Sequence, residues 1–148
     1  MSDFPPLENI IPRCLDDIIQ KHRDEYSLRL STAEDFAALP PMVSSINHQK
    51  MVRATINEWR IVCFVRPAGL GGNCFILTGI HQAQDCVWYT SPIVSTDFEN
   101  NLVLTENSLY RLGSKGEGEP GSNIILHICS CLHSWKIGAY LGVLKVFY

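Results

Sequence analysis

Residues 125–135, "ILHICSCLHSW", place His127, Cys129, Cys131 and His133 at every second position. Two imidazoles and two thiols are the donor set of a structural zinc site. On a strand all four side chains would share one face and could converge on an ion. On a helix, residues two apart are separated by about 200°, so His127 pairs with Cys131 and Cys129 with His133 on different faces. The neighbouring residues favour the helix. Ser122 or Asn123 can cap it, Ile125, Ile128, Leu132 and Trp135 recur at helical spacing, and Gly138 offers a left-handed stop. The two cysteines then read as small buried apolar groups, and no metal or other cofactor is expected.

A second candidate is His81 with Cys86. An imidazole beside a thiol lowers its pKa and makes a nucleophile. The two lie around one turn of the chain, with no third residue to orient the base. "GLGGN", residues 69–73, lacks the lysine and hydroxyl residue of a phosphate-binding loop and precedes a strand, so it reads as a hairpin turn. Asp16-Asp17 and Asp24-Glu25 read as solvated carboxylates, since adjacent side chains on a helix point apart.

The elements that must position these residues fall into three stretches. Residues 1–55 read as helical: Pro12 begins a helix carrying Leu15, Ile18, Ile19 and His22. "STAE" at 31–34 has the form of a capping box that starts a second helix at Thr32, ending before Pro40-Pro41. A weaker helical pattern covers Val43 to Gln49. Residues 58–113 read as a meander of about five short strands: "WRIVCFV" as a central strand, then "CFILTGI", "CVWYTSPIVS", "LVLTE" and "SLYRL". Residues 113–123, "GSKGEGEPGSN", have the composition of a mobile surface loop. A helix over about 123–137 and a strand over 143–148 complete the chain. The expectation is one α+β domain: a small antiparallel meander, as a curved sheet or partial barrel, with N-terminal helices and one C-terminal helix packed on it.

Composition narrows the function classes. The 148 residues are 46% apolar and 18% charged, with a formal charge of -3, a globular balance. The twelve basic residues are scattered, which disfavours a broad phosphate-neutralising surface for nucleic acid. The first residues lack a signal-peptide pattern and no apolar run reaches membrane-spanning length, so a cytoplasmic protein with reduced cysteines, off the membrane, is expected.

No local spacing assembles a catalytic triad, metal set or phosphate loop. The sequence therefore points to a non-catalytic accessory protein that binds another protein, such as a small bacterial inhibitor or regulator. Its contact residues would be Lys115, Glu117 and Glu119 of the loop, with Trp88 and Tyr89 as aromatic anchors. The other reading is a small cysteine/histidine-dependent enzyme using Cys86 and His81.

Overall fold

The computed structural model describes residues 11–42 and 52–145. Seven strands form one open sheet: β1 (Ser27–Leu30), β2 (Val52–Val65), β3 (Cys74–His81), β4 (Cys86–Tyr89), β5 (Ile93–Asp97), β6 (Leu102–Thr105) and β7 (Leu109–Leu112). Among the described residues, two α-helices accompany them, α1 (Ala33–Ala38) and α2 (Ser122–Ser134). The fold is thus a mixture of helix and antiparallel-rich sheet, as expected at that coarse level.

The sheet is organised around β2. Its neighbours run in the order β4-β3-β2-β7-β6-β5, with β1 also on β2. Val62 pairs with both Leu30 of β1 and Ile76 of β3, and Ile56 pairs with both His81 of β3 and Leu112 of β7. β3 therefore occupies one edge of β2, while β7 and β1 share the other edge end to end. The β2–β7 pairing is parallel, which departs from the all-antiparallel meander.

β4 and β5 stand at opposite ends of the path yet are joined by three residues, Thr90–Pro92. Six strands laid flat would put them about 24 Å apart, and four residue steps span at most about 14 Å. The sheet must curl. Thr90 fastens the curl by donating its N–H to the Leu77 carbonyl and accepting the Leu77 N–H on its hydroxyl.

Alternation along β2 feeds two apolar cores. Ile56 and Ile61 enter the concave side with Leu77, Val103, Tyr110 and Leu112. Val62 and Phe64 enter the other side, under α2, with Leu28, Ile125, Ile128 and Leu132. Each fully buried side chain of this size contributes about 1.5–3 kcal/mol relative to exposure.

Between the two cores β2 carries a bulge. Asn57 pairs with Ile80 and Arg60 with Thr78, so one extra residue sits on β2, and Glu58 takes a φ of 49° there. Gly79 faces the bulge because a Cβ would lie 2.6 Å from the Asn57 carbonyl oxygen.

Several expectations are corrected. Residues 1–55 are not uniformly helical: the expected first helix is only a 3-10 turn, Leu15–Asp17. Leu15, Ile18 and Ile19 are buried as their spacing suggested, but Gln20 and Lys21 give their N–H groups to the Leu141 carbonyl, and His22 adopts a φ of 62°. The same stretch contains β1 and the start of β2, whose alternating Tyr26/Leu28/Leu30 and Val52/Ala54/Ile56 are strand patterns.

The second helix is a short one shifted by one residue: it spans Ala33–Ala38, its capping box is Thr32 with Asp35 rather than Ser31 with Glu34, and it stops before the prolines. The helical pattern at Val43–Gln49 lies outside the described residues. Residues 143–145 form no strand, and 146–148 lie outside the described residues. α2 is capped by Gly121, and its left-handed stop is Lys136 with a φ of 65°. Gly138 instead leaves room for the His133 ring.

Candidate functional site

On α2 the first His/Cys set does not separate into the two expected His–Cys pairs: both cysteines are buried and each histidine turns to a backbone carbonyl. Cys129 and Cys131 are buried in the apolar interior. Burial pushes the Cys129 thiol up to about 11 and that of Cys131 up to about 12. His133 contacts the Val143 carbonyl through Nε2 at 3.0 Å, and His127 contacts the Asn123 carbonyl through Nδ1 at 3.2 Å. Each histidine is thus turned to its own backbone partner.

His81 and Cys86 are brought together, as cross-strand partners on β3 and β4. Partners directly opposite project to the same face. The His81 Nδ1 atom accepts the Gln84 N–H at 3.1 Å, so the ring proton resides on Nε2. The Cys86 thiol meets Gln84 Oε1 at 3.8 Å, and the His81 ring packs edge-on against Trp88. The nitrogen that could act as a base is thus engaged by backbone.

The five proposed contact residues do not form one surface. Trp88 and Tyr89 are consecutive on β4 and face opposite sides of the sheet. Trp88 donates its indole N–H to the Tyr110 hydroxyl at 3.3 Å on the concave side, while Tyr89 meets the His127 ring of α2. Glu119 accepts the Leu15 N–H on its carboxylate at 2.8 Å. Lys115 and Glu117 lie elsewhere, beside α1.

Residues 113–118 run as a strap along β2, continuing β7 past the bulge. The Gly113 N–H donates to the Ile56 carbonyl, the Trp59 N–H to the Ser114 carbonyl and the Gly116 N–H to the Trp59 carbonyl. Arg60 then holds the outer part, donating Nε–H to the Gly118 carbonyl at 2.8 Å and Nη2–H to the Glu117 carbonyl at 2.7 Å. Pro120 is buried. Composition alone suggested a free loop; its glycines instead allow close approach, since a Cβ on Gly116 would meet the Arg60 guanidinium.

Where the strap and the end of β1 diverge along β2, they leave a groove of about 370 Å³ lined by Leu30, Ser31, Phe36, Trp59, Ile61 and the strap. α1 supplies Phe36, and its position is fixed electrostatically. Asp35 accepts from Arg29 of β1 at 2.5 Å while also accepting the Thr32 N–H at 2.7 Å. The Arg29 guanidinium, with the Thr32 bonds, lowers the Asp35 carboxyl to about 2 against the opposing effect of burial.

The Lys115 ammonium lies 5.5 Å from the centre of the Trp59 ring and 5.8 Å from that of Phe36, within cation–π range. Among the described residues, no carboxylate forms an ion pair with it. The Ser31 hydroxyl is buried and lacks a hydrogen-bond partner among the described residues. Phe36, Ser31 and Arg60 were not legible as site residues, although one aromatic on a short, otherwise exposed helix is a signal for Phe36.

The comparisons identify no relative: no family model, curated protein or solved structure matches this chain. No helix among the described residues is long and apolar enough to cross a membrane.

Proposed function

We propose that this chain is a non-catalytic binding protein, an inhibitor or regulator of another protein, and that its contact surface is the groove between α1, Trp59 and the strap. The observation that supports this most is the pairing of an aromatic, apolar lining with a lysine cation held over two of its rings. Aromatic rings beside a cation form the kind of cluster in which interface energy concentrates. Of the contact residues expected from sequence, Lys115 and Glu117 belong to this surface, whereas Glu119, Trp88 and Tyr89 serve packing and anchoring.

A pull-down from the native host tests the reading. Wild-type chain and a Val94→Ser control, altered at an exposed residue of β5, should retain the same partner. Lys115→Glu should lose it. Equal recovery by all three would reject the groove as the contact surface.

A narrower enzyme reading remains attached to one observation, the cross-strand placement of His81 against Cys86. It requires Cys86 to react with small alkylating agents faster than an unfolded cysteine does. A rate equal to that of the denatured chain would reject it.

A further inference from the structure

The lining of the groove constrains what it binds. Arg60 and Lys115 bring two positive charges to it and Glu117 one negative, leaving an excess of one positive charge. Arg60 is committed to strap carbonyls, so the cation open to a visitor is Lys115. Its ammonium is fixed by Phe36 and Trp59 rather than by a carboxylate.

The Ser31 hydroxyl is both buried and without a partner among the described residues. A buried hydroxyl without a partner is costly, and an acceptor delivered by a ligand removes that cost. Cation and hydroxyl together suit a carboxylate, which can take a charge-assisted bond from one and a hydrogen bond from the other.

A side-chain carboxylate asks less of the groove than a chain terminus does. Capture of a terminal carboxylate relies on free backbone N–H groups. Here the nearby Gly116 and Ser31 N–H groups already donate to the Trp59 and Ile61 carbonyls.

Building on the function proposed above, we infer that the groove takes an extended segment of a partner protein in which a glutamate side chain meets Lys115 and Ser31. A large apolar side chain two residues earlier lies on the Trp59 and Phe36 rings. Residues two apart in an extended chain share one side, which gives that spacing.

The test uses short probes and the full chain. Acetyl-Leu-Ala-Glu-amide is titrated while the Trp59 indole resonance is followed by NMR. Acetyl-Leu-Ala-Gln-amide and acetyl-Leu-Ala-Gln with a free C-terminal carboxylate serve as comparisons. The glutamate probe should shift the indole saturably, with both glutamine probes roughly tenfold weaker, as expected for loss of a charge-assisted bond.

Ser31→Ala should weaken the glutamate probe several-fold, and Lys115→Gln should abolish the preference for glutamate. Equal affinity of the glutamate and glutamine amides, tighter binding of the free-carboxylate probe, or no saturable shift overturns the inference. If the probes behave as expected but no partner is recovered from the host, the acidic-ligand chemistry stands and the protein-partner reading falls. If a partner binds through the groove while the probes fail, the reverse holds.

Discussion

Arg60 Nε–H donates to the Gly118 carbonyl at 2.8 Å, joining residues 58 positions apart in sequence. Through this bond and its companion to Glu117, a glycine-rich segment that composition assigns to solvent becomes one wall of a groove. The strap therefore depends on a side chain of β2. Arg60→Ala should raise hydrogen-exchange rates at 116–119 while costing only about 1 kcal/mol of global stability, a typical net value for exposed hydrogen bonds. Unchanged exchange in a mass-spectrometric time course would show that the backbone bonds at Gly113 and Gly116 suffice.

The sequence made α2 legible because a thirteen-residue element with buried Ile125, Ile128 and Leu132 announces its period locally. Leu15, Ile18 and Ile19 announce the same period but are satisfied by a short turn. Their burial under α2 is set by the distant Leu141 carbonyl, which no local pattern encodes. The parallel β2–β7 contact and the strap share this difficulty, since both are decided by which edge of β2 is left vacant. Ser31 and Arg60 join the site only through that long-range pairing, so their types and spacing carried no signal.

Acid should loosen α1 first. Asp35 is held at about 2, below its ordinary 3.8, so its contribution is complete above about pH 4 and is lost as pH falls through about 2. Arg29 is 41% exposed, and solvent screening limits the contribution to about 1–2 kcal/mol. Asp35→Asn should lower stability near neutral pH by that amount and flatten the stability profile between pH 4 and 2. A variant whose profile parallels the wild type would remove Asp35 as the source of the acid sensitivity.

Thiol chemistry should divide the cysteines by burial. Cys63, Cys129 and Cys131 are buried with thiols pushed to about 11, 11 and 12, and burial also raises Cys74. Cys86 is exposed and Cys14 half-buried. Alkylation of native protein at neutral pH should modify Cys86 first and Cys14 next, leaving four cysteines until denaturant is added. Peptide mapping that finds Cys129 or Cys131 among the early sites would contradict the packing of α2.

The two cores make different demands at their junction. Gly79→Ala would drive a Cβ to 2.6 Å from both the Asn57 carbonyl oxygen and Ile56 Cγ2, at a cost of about 1–3 kcal/mol for a forced overpacking. Leu132→Ala, at a fully buried position under α2, should cost about 2–5 kcal/mol. His133→Ala removes one contact to the Val143 carbonyl and should cost about 1 kcal/mol. Denaturant melts in which His133→Ala exceeds Leu132→Ala would mean that the C-terminal fold-back, rather than the apolar face of α2, dominates that side of the molecule.

The central claim is that Phe36, Trp59 and Lys115 form the contact surface. Isothermal titration of the purified partner against wild type, Phe36→Ala, Lys115→Glu and Val94→Ser tests it most directly, with circular dichroism verifying that each variant is folded. Phe36→Ala and Lys115→Glu should each weaken binding by roughly 30-fold or more, the loss of about 2 kcal/mol that marks an interface hot spot, and Val94→Ser should bind as wild type does. Wild-type affinity in both groove variants would contradict the account.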